Sequence, residues 1–86
     1  MNHEQAQRMI DGLCEKYRVP YIGVMATKIH DDFEAQFDIG KCVIVVNSNV
    51  SKQTLAHEFY HYLTYLISIA ERLDETLAEE YGNTYK

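Results

Sequence analysis

An α+β fold is predicted for this chain: an N-terminal helix, a small three-stranded sheet containing a hairpin, and two further helices. Three observations predict it. Apolar residues recur at helical spacing over 2–17 and again over 51–69. Between them lie short runs with the composition or alternation of strands, bounded by polar and glycine-containing turns. The predicted strands are gathered between the helices, as in an α+β fold.

At 86 residues the chain makes one domain, 1–86, near the lower limit for a self-sufficient core. Hydrophobic residues make up 47%, which fits a globular protein rather than a disordered one. The formal net charge of -5 offers no electrostatic footprint for nucleic acid or an anionic membrane surface. No apolar run reaches the length of a membrane span, and the polar N-terminus does not read as a signal peptide. An intracellular, cytoplasmic setting follows as the expectation. Cys14 and Cys42 lack Cys-x-x-Cys spacing and read as two buried, reduced thiols.

In 2–17, Ala6, Met9, Ile10, Leu13, Cys14 and Tyr17 form one apolar stripe, so this helix packs rather than catalyses. His3 lies at its frayed, exposed start. Arg18-Val19-Pro20 ends it, because a residue before proline avoids helical angles. Residues 21–27 are short, apolar and strand-forming. Residues 28–32 form a polar turn, in which His30-Asp31-Asp32 point apart and read as solvated rather than metal-binding. In 33–39, Phe33, Ala35, Phe37 and Ile39 alternate with Glu34, Gln36 and Asp38, the pattern of a half-exposed strand. Gly40-Lys41 is a tight connection, and the apolar run 42–46 reads as a buried strand that completes the hairpin.

The helix over 51–69 starts at Ser51, the best N-cap candidate, and has two different faces. Leu55, Phe59, Leu63, Leu66 and Ile67 make the core side. Thr54, His57, Glu58, His61 and Tyr65 gather on the other, the floor of a cleft, while Tyr62 and Tyr65 serve either substrate or packing. Within it stands His57-Glu58-Phe59-Tyr60-His61, a His-Glu-x-x-His pattern. Histidines four apart share a helix face, so both imidazoles reach one metal ion. Glu58, turned by roughly 100° from His57, addresses a water on that metal without becoming a ligand. Neutral imidazoles suit zinc, which lowers the pKa of water while the carboxylate carries the proton. Unpaired, such groups would be costly to bury in an apolar helix.

A third protein ligand from the acidic segment 74–82 requires a turn between about Ile67 and Asp74. The chemistry demands that turn, since 68–73 holds no glycine or proline. Glu71, Glu75, Glu79 and Glu80 are the candidate ligands.

A zinc-binding His-Glu-x-x-His helix followed by a helix bearing a glutamate ligand resembles the gluzincin metallopeptidases, of which thermolysin is the type example. Leu55-Ala56-His57-Glu58-Phe59-Tyr60-His61 is similar to the corresponding helix of ImmA/IrrE-type peptidases. Glu79-Glu80-Tyr81-Gly82-Asn83-Thr84-Tyr85 resembles the family's ligand helix, with Gly82 where alanine is more usual. The resemblance spans about 41–86. It implies Glu79 as third ligand and Asn83 as the group that orients it, with Glu80 and Glu75 as rivals. Leu73, Leu77, Tyr81 and Tyr85 would then lie on the far side and pack. Larger gluzincins carry a further subdomain after this motif, so the chain resembles the minimal, single-domain, zincin-like members.

The expectation is a zinc metallopeptidase: His57, His61 and Glu79 hold zinc, and Glu58 is the general base. The resemblance implies that a peptide or protein substrate lies along an exposed sheet edge, supplied by residues within 33–46. The alternative is a latent or non-catalytic zinc module acting through a protein partner or self-association.

Overall fold

The first helix begins where the sequence supplies its own cap. In the computed structural model, which describes residues 1–27 and 34–84 with side chains as far as Leu73, α1 covers His3–Tyr17. The Asn2 side chain accepts the Gln5 N–H at 2.8 Å, and the Gln5 side chain accepts the Asn2 N–H at 3.0 Å. This reciprocal pair satisfies two donors that helix geometry leaves without partners. At the other end Arg18 turns left-handed (φ 55), and its N–H returns to the Cys14 and Glu15 carbonyls. Ala6, Ile10 and Cys14 are the buried residues of the stripe.

The strands are β1 (Gly23–Thr27), β2 (Ala35–Asp38) and β3 (Val43–Asn47), in the order β1-β3-β2. β2 and β3 form the expected antiparallel hairpin, while β1 pairs parallel to β3. Three expectations shift here. Cys42 belongs to the hairpin turn at φ 53 and is exposed, so only Cys14 is a buried thiol. A left-handed residue cannot continue a strand, which is why β3 starts one residue later. β3 is also the middle strand, so the exposed edge within 33–46 reduces to β2. The predicted turn over 28–32, with His30-Asp31-Asp32, and the residue Phe33 lie outside the described residues.

The outer edge of β1 is closed by a side chain. Gln7 on α1 donates to the Ile22 carbonyl at 3.0 Å and accepts the Val24 N–H at 2.8 Å, so its amide stands in for a neighbouring strand. His3, exposed as expected, sets Nε2 against the Val24 carbonyl. Such caps remove the open row of donors and acceptors that invites edge-to-edge association.

The long helix α2 covers Lys52–Thr84. Ser51 Oγ accepts the Thr54 N–H at 3.1 Å, as expected of an N-cap. Leu55, Phe59 and Tyr62 bury themselves against Ile10, Ile22, Ile44, Val46 and Val50, forming one core between the helices and the sheet. The Tyr62 hydroxyl reaches the Pro20 carbonyl at 2.8 Å, and burial pushes its pKa up. Leu63 and Leu66 are half-buried against this core, but Ile67 is 57% exposed and falls off the core face.

The expected turn between Ile67 and Asp74 is absent: α2 runs through it unbroken. Residues 68–73 contain no breaker, and Ala70, Glu71, Arg72 and Leu73 are good helix formers. The C-terminal glutamate-bearing helix is therefore the far end of α2, giving two helices rather than three among the described residues. From Ala70 to Leu73 every residue is exposed, so the helix leaves the body there. The radius of gyration, 16.6 Å, exceeds the roughly 12 Å of a compact domain of this length. Among the described residues no helix is long and apolar enough to cross a membrane.

Candidate metal centre

His57 and His61 stand one turn apart on α2, both exposed, with ring centroids 4.7 Å apart and planes at 88°. Their Nε2 atoms are 3.1 Å apart. Two nitrogens sharing a tetrahedral zinc at ordinary bond lengths are separated by about 3.3 Å, so the pair fits one ion. One ligand atom each from His57, Glu58 and His61 falls within 4.8 Å of the others. The donor set, two imidazoles and one carboxylate, suits zinc.

Glu58 is half-buried because it faces the sheet, and it is tied to it. The Phe37 N–H donates to Glu58 Oε2 at 2.8 Å. Strand register explains why that N–H is on offer. Asn47 N–H donates to the Glu34 carbonyl, so residues 34, 36 and 38 direct their backbone groups toward β3. Ala35 and Phe37 therefore direct theirs outward, to a side that no strand among the described residues covers. The Phe37 ring holds the strand in place, with centroids 5.7 Å from Tyr62 and 5.6 Å from Tyr65. Tyr65 is thus both cleft lining and packing, whereas Tyr62 belongs to the core.

A groove of about 750 Å³ runs beside α2 from Glu58 and His61 past Tyr65 to Arg72, with Gln36 and Phe37 of β2 in its opposite wall. Glu58 and His61 are at one end and β2 borders it. This geometry can seat a metal ion, a water and an extended chain.

The four sequence-predicted site residues do not all meet. His57, Glu58 and His61 converge. Glu79 lies on the same continuous helix, 18 residues beyond His61, about 27 Å along the axis at 1.5 Å per residue. Its side chain lies outside the described residues, as do those of Glu75 and Glu80, and Tyr85 lies outside altogether. Glu71 is exposed and about 15 Å along the axis from His61. Without the turn, one chain does not carry Glu79 to its own histidines. Sequence reasoning missed the Phe37 N–H; the alternation of β2 was its signal, since an edge strand must send alternate N–H groups outward.

Fold and site together define a small α+β chain with a helix-borne His-Glu-His cluster beside a free strand edge. No family model, curated protein or solved structure matches it.

Proposed function

We propose that this chain is a zinc-dependent peptide hydrolase of the gluzincin type. One observation carries the reading: His57, Glu58 and His61 offer ligand atoms within 4.8 Å of one another, at the end of a groove bordered by an open strand. His57 and His61 would hold the metal through Nε2, whereas Glu79, about 27 Å farther along the same helix, would not reach it within one chain. Zinc, when bound, polarises the scissile carbonyl and lowers the pKa of a water molecule.

The chain's own groups do the rest. The outward backbone of Ala35 and the Phe37 carbonyl pair with an extended substrate and fix its direction. Glu58, steadied by the Phe37 N–H on Oε2, takes a proton from the attacking water. It returns that proton to the leaving nitrogen as the C–N bond breaks, so water and peptide become a carboxylate and an amine. Glu58→Gln keeps an oxygen for the Phe37 N–H and should leave zinc content at the parent level while abolishing cleavage of a mixed-peptide substrate. A parent that takes up no zinc, or a variant that cleaves as well as the parent, would refute the proposal.

A second reading, zinc-dependent association without turnover, is favoured by the distance between Glu79 and the histidines. Glu58→Gln separates the two, because association would survive it.

A further inference from the structure

We infer that the groove selects peptides whose apolar side chains alternate, with an apolar residue second and another fourth from the scissile bond. The inference rests on the hydrolase reading above and names its substrate class.

Two repeats set the terms. On α2, His61, Tyr65 and Ile69 follow one another four residues apart, so they make one row that rises about 6 Å per step. A chain added to the outer edge of β2 is extended and sends every second side chain to the same face, at intervals of about 6.6 Å. The two spacings nearly agree. With the scissile bond held beside His61, the second residue along the groove comes to Tyr65 and the fourth to Ile69. The mismatch accumulated over both steps is about 1.2 Å, small against the width of a side chain. A slip of one residue turns the opposite set of side chains toward the helix.

The walls at these places are apolar. Tyr65 and Ile69 are half-buried and line the groove, and the other wall carries Phe37 and Ile39. Tyr65 packs on Phe37 and on the core. Ile69 is not one of the described residues that pack against the core, and Ile39 is 59% exposed, so both keep apolar surface for a ligand. Charge among the lining residues is confined to the two ends, with Glu58 and His61 at one and Arg72 at the other. Between them Thr64 and Ser68 are neutral. A charged side chain turned toward Tyr65 would lose water against apolar walls, whereas an apolar one takes itself and the wall out of water together. The selective stretch is continuous with the metal centre, since the same groove begins at Glu58 and His61.

Two labelled peptides of identical length and composition test this, one alternating leucine with threonine and one holding the two residues in separate blocks. Fluorescence anisotropy with Glu58→Gln, zinc supplied, reads binding without cleavage. The alternating peptide should bind about tenfold more tightly than the blocked one. Ile69→Gln, placed in the same background, should remove most of that preference, and Ile69→Leu should keep it. Far-ultraviolet circular dichroism should show both variants folded. In the parent, mass spectrometry of the products should find leucine second and fourth from the cut on one side. Equal affinity for the two arrangements would overturn the inference, as would a preference indifferent to Ile69→Gln or cuts placed without regard to the leucines. A preference that depends on Ile69, in a parent that cleaves neither peptide, would leave the groove's selectivity standing and remove the hydrolase reading.

Discussion

Replacing Gln7 by alanine should expose how much of the fold depends on closing the edge of β1. The Gln7 amide makes two hydrogen bonds to that strand, 3.0 Å to the Ile22 carbonyl and 2.8 Å to the Val24 N–H, both in part-buried surroundings. A further bond, 2.9 Å to Asp11, lies within α1. At about 1 kcal/mol net for each bond to β1, the loss should be about 2 kcal/mol. Truncation also opens the edge to water, which re-solvates the freed groups and keeps the cost from rising further. For a domain of this size about 2 kcal/mol lowers Tm by roughly 8–16 °C. The assay is urea denaturation followed by circular dichroism, with Gln7→Glu as a companion. That variant still accepts the Val24 N–H but sets a carboxylate oxygen against the Ile22 carbonyl, and should be at least as destabilised. Freed edges also pair with one another, so light scattering of Gln7→Ala should rise with concentration. A midpoint corresponding to less than about 0.5 kcal/mol of destabilisation would refute the idea that the amide serves as a substitute strand.

Other outcomes follow from the same contacts. Tyr62→Phe removes the hydroxyl bound to Pro20 at 2.8 Å and should cost about 1–2 kcal/mol, measured by denaturant midpoint. Exposed Cys42 should react with iodoacetamide in the native state, whereas Cys14, buried and with its pKa pushed above 9.0 chiefly by desolvation, should react only on unfolding. Mass spectrometry after brief labelling reads this out. Burial likewise holds the Tyr62 pKa above 10.0. Both groups are neutral when folded and ionise more readily when unfolded, so their contribution is complete below about pH 9 and is lost as pH rises through their folded values. Thermal midpoints from pH 8 to 11 should therefore fall, and less steeply in Tyr62→Phe. Finally, Glu58→Gln should hold zinc at the parent level and lose peptide cleavage.

How legible these features were depended on their range. The Ser51 cap, the stripe of α1 and the β2–β3 hairpin rest on neighbours in sequence, and the structure has them within a residue or two of expectation. The convergence of His57, Glu58 and His61 was readable for the same reason, since a helix alone brings positions i and i+4 together. The insertion of β3 between β1 and β2 was not, because the partner of a five-residue strand is decided by tertiary packing. Gln7 looked like one polar residue among many on α1, and only the approach of β1 gives its amide a purpose. Cys42 looked like the first residue of an apolar run until the turn claimed it for a left-handed angle. The break after Ile67 was inferred from what a metal needs, while local propensity over 68–73 favoured continuation, and continuation is what α2 shows.

The bond from the Phe37 N–H to Glu58 makes one backbone proton a natural reporter on the centre. A carboxylate that shifts toward a metal or a substrate loosens that bond, and the Phe37 amide resonance moves with it. Deuterium exchange at the same amide should quicken when the bond opens and slow when a chain pairs along β2. Events on the helix are thus recorded on the strand, in a signal that needs no turnover.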